Sequence, residues 1–313
     1  MANPAPERVD TETVENSRLK TKPKLRQVKS SAGKRKRNVP TGGIVKFILL
    51  AAGAFVMLYP LLWMLSSSFK PNDIIFREIG LIPVETTLSN YIQGWNGISG
   101  FTFSTFYMNS FIVVGLSILG NIIACSMAAY AFARLDFTWK KTMFAIMLGS
   151  IMLPYHVVLI PQYIIFNNLN WVDTFLPLIV PKFLATDAFF IFLMVQFIRG
   201  IPSELDNAAR VDGCGSVQIF SRIIFPLMVP ALVTTAIFTF IWTWNDFFSQ
   251  FIYLSSPKLW TVTLALRGFL DTMGESLWGA MFAMSILSLI PIFIFFIAFQ
   301  RLLIDGISTT GIK

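Results

Sequence analysis

The sequence predicts an all-α membrane protein with six transmembrane helices and both termini cytoplasmic. Three observations predict it. Hydrophobic residues make up 55% of the 313 and charged residues 13%, the latter about half the share in an ordinary soluble domain. Mean hydropathy is +0.65, which implies more apolar surface than one core of this size can hide. Six apolar segments are each long enough to cross a hydrocarbon layer roughly 30 Å thick, which takes about 20 residues of helix. Helices are expected because a spanning backbone must satisfy its own hydrogen bonds, and the alternation of barrel strands is absent.

Residues 1–43 read as a disordered basic tail. They are polar, lack apolar periodicity and contain the run Lys34-Arg35-Lys36-Arg37. The first apolar stretch starts too late, near Ile44, for a secretory signal peptide. The six spans are expected over 44–68, 106–133, 142–166, 175–198, 226–252 and 278–302.

Charge sets the orientation. Residues 1–46 hold 12 of the 25 Lys and Arg and four acids, so the whole net charge of +8 lies there. With the tail inside, the inner connections add Arg134, Lys140, Lys141, Arg199, Arg210, Arg222, Arg301 and Lys313. The outer ones hold only Lys70, Arg77, Lys258 and Arg267. Twenty inside against four outside places the tail in the cytoplasm. A basic patch confined to a tail also argues against a nucleic-acid-binding domain.

Eight prolines fall within or beside the spans: Pro60, Pro154, Pro161, Pro177, Pro181, Pro226, Pro230 and Pro291. Each removes a backbone donor. They bend helices for packing, or they mark the discontinuous helices of a bundle with a polar path.

The connection over 199–225 is the most informative. Pro202 suits a first helical turn, and Glu204 and Asp206 complement the positive helix end. Asp206 and Arg210 are spaced i, i+4 with the acid first. Leu205, Ala208, Ala209 and Asp212 share one face, shallow enough for a partner groove to approach. Gly213 can take the left-handed conformation that ends a helix. A short second helix runs from Ser216 to Phe225. The small residues on this protrusion suggest a docking element for a cytoplasmic partner, not a solvated surface helix.

This stretch resembles the coupling loop of the permease subunits of ABC importers, the binding-protein-dependent inner-membrane components. The family signature is E-A-A, three residues, G, nine residues, I-x-L-P. Here Ala208-Ala209 are followed by Arg210-Val211-Asp212 and Gly213, and nine residues later by Ile223, Ile224, Phe225 and Pro226. Asn207 stands for the signature Glu, keeping an acceptor without the charge, and Phe225 stands for the Leu. The likeness extends over 44–313 and is greatest to the second permease of maltose-type carbohydrate importers. Ser68-Phe69-Lys70-Pro71, Leu88-Ser89-Asn90-Tyr91, Asn109-Ser110, the stretch Ala128 to Arg134, Trp244-Asn245-Asp246-Phe247 and the ending Gln300-Arg301…Gly306…Gly311-Ile312-Lys313 carry it.

The resemblance implies a permease-like core of six helices in the cell membrane. It also implies a heterodimer with a sister permease, two ATPase subunits, an external solute-binding protein and a sugar cargo. ATPase coupling would fall to Glu204, Leu205, Asn207, Ala208, Ala209, Asp212 and Gly213. ATP and Mg would be held by the partner ATPases, with no cofactor in this chain.

No catalytic apparatus is expected. There is no G-x-x-x-x-G-K-[ST] loop for ATP phosphates. The single His156 builds neither a zinc site nor an acid–base pair, and Cys125 and Cys214 lie too far apart for a metal motif. Candidates for the substrate path are the polar groups at membrane depth. Asp187 lies 12 residues before Arg199, about 18 Å up a helix. It is either a polar partner within the bundle or an acceptor for cargo hydroxyls, while Lys182 is expected to snorkel outward. His156 either bonds a carbonyl freed by a proline or lines the pore. Trp244, Asn245 and Asp246 suit sugar binding, or belong to the aromatic belt. An ion-coupled carrier is the rival reading, a membrane enzyme the third. Among ABC cargoes a glycerol phosphate derivative is an alternative to sugar.

Overall fold

The computed structural model describes residues 41–270 and 276–308, with side chains from Val45 to Gln300 within that range. The tail expected over 1–43 falls on residues that, up to 40, lie outside it, as does Gly311-Ile312-Lys313. The described elements are helical. They are α1 (Thr41–Ser67), α2 (Ser89–Asn96), α3 (Phe103–Arg134), α4 (Lys140–Ser150), α5 (Tyr155–Asn168), α6 (Leu176–Phe183) and α7 (Ala188–Gly200). There follow α8 (Glu204–Val211), α9 (Ser216–Ile219), a π turn (Phe220–Ile224), α10 (Phe225–Leu227), α11 (Val229–Asn245), α12 (Phe248–Tyr253), α13 (Val262–Gly268) and α14 (Trp278–Ser308).

Among the described residues, four spans are long and apolar enough to cross a membrane: Val45–Ser67, Phe103–Arg134, Leu176–Gly200 and Trp278–Gln300. Two further spans exist only as bent pairs. α4 and α5 meet at 104°, and Ser216–Leu227 meets α11 at 73°. The segments expected over 142–166, 175–198 and 226–252 are therefore not single rods. The first breaks at Ile151–Pro154, where Pro154 is extended and caps α5. The second breaks where Ala185 takes φ +54°. The third breaks at Met228 and again at Asp246.

The prolines divide by position. Pro60, Pro161, Pro181 and Pro291 lie inside helices, where each costs a hydrogen bond. Pro226 follows the π turn within the helical arm Ser216–Leu227, whereas Pro154, Pro177 and Pro230 stand at helix starts. There the missing N–H has no intrahelical partner to lose, so the ring helps to begin the helix.

α3 contributes to all three apolar clusters. Its residues Cys125, Ala129 and Tyr130, toward its C-terminal end, pack with α7 and the segment Ile219–Leu232. Phe103, Phe106 and Val114 pack with α11, α13 and α14, and Val113 packs with Leu159, Leu178 and Tyr253. Small residues allow this closeness, as in other membrane helix pairs. At Gly120 a Cβ would stand 2.8 Å from the Phe183 ring and 3.0 Å from the Lys182 carbonyl carbon.

Several stretches that carry the family likeness are backbone clasps. Asn90 Nδ2 donates to the carbonyls of Ser68 (2.9 Å) and Lys70 (2.7 Å). Lys70 is fully buried, and its Nζ donates to Glu78 O (2.6 Å) and Gly80 O (2.8 Å). Asn109 holds the carbonyls of Lys258 and Trp260, and Ser110 Oγ accepts from Val262 N–H. These residues fold the connections after α1 and before α13 onto the bundle.

Candidate functional site

A cavity of about 710 Å3 opens among α3, α5, α6 and α11. The breaks in the spans make it polar. A continuous helix buries its backbone groups, whereas a broken one turns polar side chains and chain ends inward. The break between α6 and α7 puts Lys182, Thr186 and Asp187 on the wall. The break after α11 adds Asn245, Asp246, Ser249 and Gln250.

Two hydrogen-bonded groups organise it. On one side Asp187 Oδ2 accepts from Lys182 Nζ at 2.9 Å and from Asn121 Nδ2 at 2.7 Å. Asn121 is fully buried on α3, and its amide also donates to Thr239 Oγ1 on α11 at 3.0 Å. One amide thus ties α3 and α11 to the start of α7. On the other side Gln250 donates to Thr243 O at 3.0 Å, and its Oε1 accepts from the hydroxyls of Thr261 and Thr263. Asp246 Oδ1 accepts the Ser249 N–H at 3.1 Å, and the Ser249 hydroxyl meets Tyr155 OH at 2.6 Å.

Of the expected path residues, Asp187, Asn245 and Asp246 line this cavity. Trp244 does not. It is buried at 3% exposure, stacked on Phe240 with ring centroids 5.5 Å apart. Trp242 is on the wall instead, because residues two apart on a helix point about 200° apart. His156 is exposed off the cavity wall, edge-on to the Phe248 ring at 4.9 Å. Lys182 does not snorkel outward, since the carboxylate at 2.9 Å is a nearer partner than the interface. Asn121, Thr239, Tyr155 and Gln250 were not anticipated. An amide such as Asn121 within a long apolar stretch was the available signal.

The second feature is α8. Glu204, Leu205, Asn207, Ala208, Arg210, Val211, Asp212 and Gly213 are exposed. Two of its residues are buried, Asp206 and Ala209. Ala209, expected on the docking face, is turned into the chain's own core at 6% exposure. Asp206 does not pair with Arg210. Its Oδ2 lies 2.8 Å from Arg134 Nε at the end of α3, because the buried side of α8 faces α3 while Arg210 points to solvent. Gly213 takes φ +83° and ends the helix, its N–H donating to Arg210 O at 3.0 Å. Among the described residues no group of His, Cys, Asp or Glu is placed to hold a metal.

The family model described as "Binding-protein-dependent transport system inner membrane component" matches residues 118–309, more than half of the chain and both features. The chain belongs to this family. It is similar to the probable ABC transporter permease protein YurM of Bacillus subtilis, with 35% identity over 82% of this chain and 83% of the relative. It is also similar to the arabinooligosaccharides transport system permease protein AraQ of Halalkalibacterium halodurans, with 34% identity over 83% and 92%. A chain from the crystal structure of a bacterial ABC transporter that imports the acidic polysaccharide alginate shares the fold. Its TM-score is 0.74 at 22% identity, covering 85% of this chain and 97% of that one.

Proposed function

We propose that this permease carries a sugar or oligosaccharide across the cytoplasmic membrane. An external binding protein delivers the cargo, and separate ATPase subunits drive the step. The observation that carries this reading is α8. Within the family-matched region it presents Leu205, Ala208 and Val211 to the outside, the last at 89% exposure. An apolar surface of this kind is one that a partner covers. The sugar cargo is supported by the arabinooligosaccharide relative and by the polar cavity. Asp187, Asn245 and Asp246 there offer acceptors for hydroxyls, and Trp242 offers a flat apolar face.

In this reading the two bent pairs complete six spans, and both termini are cytoplasmic. A sister permease closes the cavity's open side. ATP and Mg belong to the ATPases, and this chain performs no chemistry. Glu204, Leu205, Asn207, Ala208, Asp212 and Gly213 meet the ATPase, with Asn207 contributing an uncharged contact. An ion-coupled carrier has less support, since Asp187 is already engaged by Lys182 and Asn121.

The test is copurification. The full chain, expressed with its sister permease and a tagged ATPase, is expected to be retained on the tag. Deletion of Leu205–Gly213 is expected to abolish retention, with the permease pair still assembled. Normal retention after the deletion would sink the docking assignment.

A further inference from the structure

Two parallel helices join the docking element to the cavity, and both are clamped at both ends. At one end Arg134, the last residue of α3, reaches two partners. Its Nε lies 2.8 Å from Asp206 Oδ2 on α8, with side chains only 11% and 5% exposed. Its Nη2 donates at 2.5 Å to the carbonyl of Ile201, the residue that caps α7. At the other end Asn121 of α3 donates to Asp187, the residue that precedes α7, at 2.7 Å. Asn121 and Arg134 are 13 residues apart and α7 has 13 residues, so each rod is about 20 Å long. No Gly or Pro interrupts α3 between Asn121 and Arg134. The interval between is filled by Cys125, Ala129, Tyr130, Phe190, Met194 and Ile198, all buried together.

We propose that α3 from Asn121 onward and α7 move as one rigid block, and that the buried Arg134–Asp206 pair is the joint through which α8 drives it. Besides the short link 201–203 to α7, which leads into the same block, α8 is held by its buried residues. Its remaining buried residue, Ala209, has one methyl and supplies no directional contact. A push received on the exposed face therefore passes through Asp206 to Arg134, and from there along both rods to Asp187 on the cavity wall. Arg134 and Asp206 are positioning residues in this scheme, acting on the cavity through α3 and α7. The inference rests on α8 being the ATPase-docking element.

The experiment uses the complete transporter in proteoliposomes. Asp206→Asn keeps size and removes charge, Arg134→Lys keeps charge and removes the planar fork, and the double exchange R134D/D206R reverses the pair. ATPase copurification and basal hydrolysis are expected to match wild type in all three. Stimulation of hydrolysis by loaded binding protein, and uptake, are expected to fall at least about tenfold in the single variants and to recover in part in the exchange. Wild-type stimulation in Asp206→Asn overturns the proposal, as does equal loss in the exchange.

A second measurement leaves the pair untouched. With Cys125 and Cys214 replaced, spin labels at Met127→Cys on α3 and Gly200→Cys at the end of α7, both exposed, report the spacing of the two rods within the block. That distance is expected to stay constant between nucleotide-free and ATP-trapped states. A change beyond the ~1–2 Å of ordinary helix adjustment overturns the rigid block. Failure of wild-type ATPase to bind at α8 would instead sink the docking reading on which the proposal stands.

Discussion

Asn121 holds three helices with one amide, so its loss should be felt in two places. Asn121→Leu leaves Asp187 to Lys182 alone and removes the donor to Thr239. Thermal unfolding of the purified complex should register about 1–3 kcal/mol of destabilisation, the usual result of stranding buried polar groups. Asp173, outside the spans, is a second residue with a measurable role. The Ser256 hydroxyl holds its carboxyl below the ordinary carboxylate range, helped by the N–H groups of Ser256 (2.8 Å) and Ser255 (3.0 Å). A lowered folded-state value means that this contribution is complete above the unfolded carboxylate range, near pH ~4. It is lost as pH falls through the lower, folded value. Protection of the Ser255 and Ser256 amides against hydrogen exchange, taken relative to the intrinsic rate at each pH, should therefore be full at neutral pH and fall only below that range. Asp173→Ala should make that exchange roughly five- to tenfold faster at neutral pH. At this scale the sequence was only partly legible. Asp187, Asn245 and Asp246 stood out as polar groups in apolar stretches. Trp242 and Trp244 could not be told apart, because α11 is apolar nearly all round and its rotation is set only by its neighbours.

Elements were legible by hydropathy, and their interruptions were not. Apolar runs located the four spans Val45–Ser67, Phe103–Arg134, Leu176–Gly200 and Trp278–Gln300 within a few residues, since length and composition alone decide whether a helix can cross lipid, whereas the segment expected over 226–252 is displaced from the bent pair over 216–245. The breaks at Ile151–Pro154 and Leu184–Asp187 are closed by local turns, with the N–H groups of Ile151, Met152, Leu153 and Leu184 each donating three residues back, which hydropathy does not register. Pro181 inside α6 and Pro177 at its start lie four residues apart in similar sequence, yet only the latter is free of a backbone penalty. The elements also carry two glycine tests. At Gly213 a Cβ would meet nothing within 4 Å, so a substitution there is opposed only by its φ of +83°. Gly213→Asn should be tolerated, and Gly213→Val should cost the coupling end of α8 about 1–2 kcal/mol. Circular dichroism of the complex should barely change while ATPase retention weakens for Val alone. Gly120 is the opposite case, an ordinary helical residue crowded by Phe183 and the Lys182 backbone. Gly120→Val should push α6 from α3 and destabilise by about 1–3 kcal/mol. It should also lower uptake, because Lys182 and Asp187 would be displaced with α6.

Across the whole described bundle, charge and fold agree about the two ends. α3 has 32 residues, about 48 Å of helix, and its ends hold different connections. Near its start, Asn109 binds the carbonyl of Lys258, one of the four basic residues assigned outside. Its last residue, Arg134, pairs with Asp206 of α8, beside the segment bearing Arg199, Arg210 and Arg222. Lys258, counted as outer, and Arg134, counted as inner, thus lie at opposite ends of one helix. That segregation is what loops sorted during insertion should leave behind. It yields a topology prediction for which no cargo need be known. With Cys125 and Cys214 replaced, single cysteines go at Glu85 in the connection before α2 and at Val217 on α9, both exposed. A membrane-impermeant thiol reagent should label the Glu85→Cys variant in intact cells. It should label the Val217→Cys variant only after permeabilisation, and bound ATPase should protect that site if α8 and α9 lie beneath the partner. The reverse pattern would invert the orientation and carry the docking helix to the wrong side of the membrane for ATP.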